Sequence, residues 1–146
     1  MQPHDDIDGF ETPAPAESAD LEALVRKFQK ELNSGLIALV LLAVLDRAGD
    51  ELYGYQIAKQ LQGAADGEGA PVKQGALYPV LRTLSAQGLL TSRVVPSVAG
   101  PPRRYYRITE LGRATLARWL GIWRRTRGFV EQTTEGVAPI DPRTEK

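Results

Sequence analysis

Two short runs rich in β-branched and aromatic residues, 89–95 and 103–109, flank the stretch Pro96-Ser97-Val98-Ala99-Gly100-Pro101-Pro102. Such runs suit a pleated, half-buried surface, and a Pro/Gly connection between them marks a hairpin with a long loop. An isolated hairpin is marginal in water and must pack on something. What surrounds this one is helical in pattern, so the hairpin has to sit on helices.

Before the hairpin, Leu77, Leu81 and Leu84 lie at i, i+4 and i+7, with Val80 beside them. That spacing predicts an amphipathic helix over 74–87, ended by Gly88. Its opposite side carries Gln74, Tyr78, Arg82 and Thr83. Pro79 falls inside it and deletes one backbone hydrogen bond, which predicts a bend or a tightened turn. A shorter helix over 54–61 precedes it, with Tyr53, Ile57, Ala58 and Leu61 inward, and the glycine-rich residues 63–71 form the connecting loop.

Further upstream, 36–45 is almost wholly apolar and reads as a buried helix ending at Gly49, a left-handed C-cap. Leu21, Leu24, Val25, Phe28 and Leu32 form one apolar stripe on a helix capped by Ser18 or Asp20, which Asn33-Ser34-Gly35 interrupts or caps. After the hairpin, Thr109 caps a long helix over 110–133, roughly 35 Å at 1.5 Å per residue.

The expected fold is therefore mainly α with a small β component: a winged helix-turn-helix over 35–109, an N-terminal dimerisation helix over 18–34 and a C-terminal dimerisation helix over 110–134. Residues 1–17 read as a disordered acidic tail, too polar to bury itself, and 135–146 as a flexible tail. The longest apolar run is ten residues, against about 20 for a bilayer span, and the N-terminus lacks the apolar core of a secretory signal. The chain is therefore expected in the cytoplasm, at the nucleoid when bound to DNA. With no cysteine, disulfides and thiolate metal sites are excluded.

The formal net charge of zero hides a strong asymmetry. Residues 1–20 carry six acids and no Lys or Arg, whereas 73–127 carries eleven basic residues and one acid, Glu110, a net +10. That is the electrostatic footprint of a nucleic-acid binder, unless acids elsewhere in the fold offset it. A helix presented by a helix-turn-helix enters the major groove, with its first residues at base edges. Here these are Lys73, Gln74, Gly75 and Ala76. Gln74 can pair with adenine and Arg82 with guanine or a phosphate. Gly75 and Ala76 allow close backbone approach, and the free N–H groups of the first turn suit a phosphate. Tyr78 either covers the core with its ring or contacts a phosphate. Arg103 and Arg104 flank the exposed hairpin loop and are expected on the DNA backbone or in the minor groove. Tyr55 and Lys59, one helix earlier, are placed on the same surface, as is Pro79. Arg107, further from the tip, is expected to be structural or partner-facing.

Four segments in order resemble the PadR-like transcriptional regulators: Tyr53-Gly54-Tyr55-Gln56-Ile57; Gly75-Ala76-Leu77-Tyr78-Pro79-Val80-Leu81; Gly88-Leu89; and Arg104-Tyr105-Tyr106-Arg107-Ile108-Thr109-Glu110-Leu111-Gly112. A single final helix is similar to the subgroup with a short C-terminus. The resemblance implies a homodimer, usually a repressor on palindromic operators, touching DNA at 73–79 and at the wing. Two departures stand out. Lys73 occupies a place where many members carry a capping Ser, so the cap must come from elsewhere or from a DNA phosphate. The acidic tail has no counterpart in the pattern; it reads as a solubilising appendage or as a competitor for the basic surface.

The final helix is apolar over more than one stripe, which predicts a second copy of the chain as its partner. Leu21, Leu24, Phe28, Leu116, Leu120, Trp123 and Val130 are the expected dimer contacts. Trp119 and Trp123, one turn apart, read first as dimer core. The resemblance adds a second reading, because in some relatives aromatic residues of this helix line a cavity for flat aromatic ligands, so a small-molecule effector is also expected there. No cofactor, metal or catalysis is expected: His4 is the only histidine, and no nucleotide loop, nucleophile motif or metal cluster is present in the sequence. The competing function is a winged-helix protein-interaction module without specific DNA binding.

Overall fold

The computed structural model describes residues 18–64 and 74–138. The elements run α1 (Ser18–Ala48), β1 (Leu52–Tyr53), α2 (Gly54–Ala64), α3 (Gln74–Ala86), β2 (Leu90–Val95), β3 (Arg103–Ile108) and α4 (Glu110–Thr133). The second helix runs on to Ala64, past the expected start of the loop at Gly63, and the acidic segment 1–17, the rest of that loop through Lys73 and residues 139–146 lie outside the described residues.

α1 departs from expectation. It is one helix of 31 residues, with no interruption at Asn33-Ser34-Gly35, and Asp20 lies in its first turn rather than at a cap. The Asn33 side chain accepts a hydrogen bond from Gln29 Nε2 at 3.1 Å, one turn back, and so does not compete for the backbone. Gly35 costs about 1 kcal/mol relative to Ala, a local penalty that the flanking apolar turns outweigh by packing. The helix is thus a rod whose C-terminal half is core and whose N-terminal half projects. Its length and composition alone would suffice to cross a membrane. Leu41, Leu42 and Leu45 are instead fully enclosed by the rest of the domain.

The core gathers these leucines with Ile57, Ala58 and Leu61 of α2, Leu77, Leu81 and Leu84 of α3, Leu90, Tyr106 and Ile108 of the sheet, and Leu116 of α4. Each fully buried Leu contributes about 1.5–3 kcal/mol. The stripe expected on α3 is the buried one, and the helix runs through Pro79.

The sheet order is β1-β3-β2, all antiparallel. β1 is only two residues long and shows no period in sequence. It pairs Leu52 with Tyr106 and Tyr53 with Tyr105, fastening the start of α2 to the wing. Alternation puts Tyr106 and Ile108 in the core and Arg103, Tyr105 and Arg107 on the outer face.

Gly49 and Gly88 adopt the left-handed conformation expected at helix ends, with φ of 67° and 80°. Thr109 Oγ accepts from Gly112 N–H at 2.9 Å, the anticipated N-cap of α4. Gly112 has no room for a side chain: a Cβ there would collide with the Leu89 carbonyl and sit 2.7 Å from Ile108.

Candidate nucleic-acid interface

α2 and α3 form the helix-turn-helix, and β2 and β3 form the wing. Burying Leu77, Leu81 and Leu84 leaves Gly75, Ala76, Tyr78, Pro79, Arg82 and Thr83 on the exposed side of α3. Gln74 opens the helix. The first-turn N–H groups of α3 therefore lie at the exposed end expected to meet DNA.

The ring of Tyr78 leans over the start of α2. A Cβ at Gly54 would lie 2.7 Å from its hydroxyl and 2.9 Å from a ring carbon, so Gly54 is set by this approach. The ring thus packs as cover, while 38% of the residue stays exposed. Behind it stands Tyr106. Burial pushes the Tyr106 phenol up, and the positive charges of Arg104 and Arg82 oppose that shift, with Tyr78 also close.

Arg103 and Arg104 make different contacts. Adjacent strand residues face opposite sides. Arg104 Nη1 donates to Ser92 Oγ at 3.1 Å. Arg103 lies over the Tyr53 ring, 4.5 Å from its centroid. Tyr53 meets Tyr105 edge-on at 5.3 Å and stacks on Tyr55 at 6.4 Å, and Lys59 lies 5.5 Å over Tyr55. Cations and rings therefore alternate from α2 to the wing. A groove of about 410 Å³ lies between wing and helices, lined by Tyr53, Tyr55, Tyr78, Arg103, Arg104 and residues 97–102.

Part of the +10 segment is neutralised within the fold. Glu51 takes Arg93 in a bidentate pair, with Nε to Oε2 at 2.9 Å. The Arg93 hydrogen bonds hold the Glu51 carboxyl below the usual carboxylate range. Arg107 pairs with Asp50 at 3.2 Å, both side chains remaining exposed. Arg113 pairs with Asp46 at 3.3 Å and Arg127 with Glu131 at 3.1 Å. Arg82, Arg103 and Arg104, like Arg118, Arg124 and Arg125 of α4, have no ion-pair partner among the described residues, so unpaired cations remain at the reading helix and the wing base and along α4. Sequence reasoning missed Tyr53 as a platform and Asp46, Asp50 and Glu51 as counter-charges. The alternation within 103–108 could have separated Arg103 from Arg104; the long-range acid pairs left no local signal.

Of the expected dimer contacts, Leu21, Leu24, Phe28 and Val130 are exposed on the protomer. Leu116 is a correction: it is buried in the protomer's own core, because it follows the tightly docked first turn of α4. Leu120 and Trp119 also pack partly on that core. Trp119 and Trp123 line a second groove, of about 560 Å³, with Leu32, Leu36, Leu39 and Ile122. Among the described residues no cluster of metal-ligating side chains occurs.

A helix-turn-helix with an antiparallel wing and a cationic reading face defines a winged-helix DNA-binding regulator. The model of the transcriptional regulator PadR-like family matches residues 41–118, and the chain belongs to that family. Transcriptional regulator Rv3488 of Mycobacterium tuberculosis is 40% identical over 95 residues, covering 63% of this chain and 76% of that protein. The crystal structure of a PadR family transcriptional regulator from Eggerthella lenta matches with a TM-score of 0.66 at 30% identity, over 82% of this chain and 99% of that one. A PadR-like transcription factor from Bacteroides fragilis gives 0.59 at 26% identity, over 73% and 98%. The protein is a transcriptional regulator and not an enzyme.

Proposed function

We propose that this protein represses transcription as a homodimer on a palindromic operator, reading each half-site with α3 and holding the backbone with the wing base. The observation that supports this reading best is the groove that Tyr55, Tyr78, Arg103 and Arg104 line together, which joins the helix-turn-helix and the wing in one cationic face. In the dimer, the exposed stripe Leu21, Leu24, Phe28 and Leu32 meets the exposed Ile122, Phe129 and Val130 of the other copy's α4. The protein acts in the cytoplasm at the nucleoid rather than at a membrane. A flat aromatic effector enters at Trp119 and Trp123, where the groove is apolar and lies against the dimerisation helices, and alters the spacing of the two reading heads.

Selection of bound duplexes from a random pool, repeated with candidate aromatic compounds, tests this. A palindrome with half-sites about one helical turn apart supports it. Equal, weak binding to every duplex, with function surviving charge reversal at Arg103 and Arg104, would favour a protein-interaction module instead.

A further inference from the structure

On α1, Leu32, Leu36 and Leu39 line the tryptophan groove. At 3.6 residues per turn, Arg26, Lys30 and Ile37 fall on the other side of the helix. There they meet α3 across a separate groove of about 510 Å³. Its floor is apolar, from Val25 and Ile37 of α1 and Ala76 and Val80 of α3, and its rim is cationic, from Arg26 and Lys30. Ala76 belongs to the first turn of the reading helix, so whatever fills this groove sits beside the end of α3 that DNA must reach.

The chain itself contains a segment with the matching chemistry. Residues 5–11 read Asp-Asp-Ile-Asp-Gly-Phe-Glu, four carboxylates around two apolar side chains, Ile7 and Phe10. Residues 1–17 hold five carboxylates and no Lys or Arg. Reach is sufficient. Val25 lies seven residues into α1, about 10 Å along its axis. Eight residues join Phe10 to Ser18, and extended chain covers up to roughly 3.4 Å per residue.

We propose that the acidic segment 5–11 docks in this groove of its own chain, with Ile7 and Phe10 on the apolar floor and its carboxylates on Arg26 and Lys30, and competes with DNA for the reading helix. The seated carboxylates place negative charge beside the first turn of α3, where a phosphate is expected. The proposal rests on the reading of α3 as the DNA-contacting helix. It makes residues 1–17 an intramolecular competitor that weakens binding to every duplex, so that only a well-matched operator displaces it.

The test uses the full chain and a mixed-sequence duplex, comparing wild type with Ile7→Ala/Phe10→Ala and with Asp5→Asn/Asp6→Asn/Asp8→Asn/Glu11→Gln. Both variants are expected to bind more tightly, by about fivefold or more, the lower end of ordinary coupling between sites. Tighter binding by the amide variant alone would overturn docking, since the segment would then act only as a diffuse polyanion. No change in either would overturn it as well.

A readout without DNA separates this from failure of the DNA reading. The chain lacks cysteine, so Gly9→Cys can be paired with Ser34→Cys at this groove, or with Glu31→Cys on the tryptophan side. Oxidation is expected to give an intrachain disulfide with position 34 far more readily than with 31, because a bridge needs Cα atoms within about 7 Å. Equal cross-linking at both positions, or a cross-linked dimer, would overturn docking within the chain. If no variant binds duplex yet the 9–34 bridge forms, the DNA reading fails and the docking stands.

Discussion

Arg103 rests on Tyr53, its guanidinium 4.5 Å from the ring centroid, although the two residues lie 50 apart in sequence. Tyr53 is itself fixed. Its N–H donates to Gln56 Oε1 at 3.1 Å, and Tyr105 meets its ring edge-on. The wing arginine is thus aimed by the last residue of β1, just ahead of α2. Removing the ring by Tyr53→Leu forfeits about 0.5–1 kcal/mol of cation–π attraction and frees the guanidinium. Duplex affinity in a fluorescence-anisotropy titration should fall about two- to fivefold, whereas Tyr53→Phe, which keeps the ring, should retain nearly all of it.

Gly112 is the residue that lets α4 dock. A Cβ there would strike the Leu89 carbonyl, and backbone does not yield as a side-chain tip does. Gly112→Ala should destabilise the protein by about 1–3 kcal/mol, the usual cost of overpacking. Gly128→Ala, on the same helix with nothing within 4 Å of its added methyl, should instead raise stability by up to about 1 kcal/mol through helix propensity. Urea unfolding of the two variants measures the difference in sign.

Glu51 predicts an acid-dependent contribution. Its folded carboxyl titrates below the usual value because Arg93 donates to it. Its stabilisation is complete above about pH 4.3, the ordinary Glu value, and is lost as pH falls through the lower folded value. The gap in Tm between wild type and Glu51→Gln should be constant from pH 7 to about 5 and close below about 4. A gap that widened on acidification would contradict the pairing.

The proposed dimer surface and the core separate at α1 and α4. Leu24→Glu/Phe28→Glu alters residues exposed on the protomer, so it should leave a folded monomer by sedimentation, with helical content intact. Leu116→Ala removes a core side chain and should cost about 2–5 kcal/mol without changing the association state of the protein that remains folded.

Much of the fold is legible in local pattern. The α3 stripe, the hairpin, the Thr109 cap and the span of α4 all follow from periods and capping chemistry within a few residues. What escaped depends on distant partners. The continuity of α1 through Asn33-Ser34-Gly35 comes from packing on both sides of a weak local stop. β1 is too short to show a period and exists because β3 offers an edge beside it. Leu116 looks the same in sequence as Leu120, and only the close docking at Gly112 decides which is core. For the site, residue types pointed to a helix face and a wing that the fold leaves exposed, but charge counting overstated the free cationic surface. Asp46, Asp50 and Glu51 lie far in sequence from Arg113, Arg107 and Arg93, and the fold alone pairs them.

The most direct test of the reading face is the salt dependence of duplex binding for Arg82→Ala/Arg104→Ala beside Arg93→Ala and Arg107→Ala. Each lost phosphate contact lowers the slope of log K against log salt by about one. The expected result is a steep slope for wild type, reduced by about two in the Arg82/Arg104 variant and nearly unchanged where the altered arginine is paired with Glu51 or Asp50. An unchanged slope in the Arg82/Arg104 variant, or equal losses in all three, would contradict a reading face built from α3 and the base of the wing.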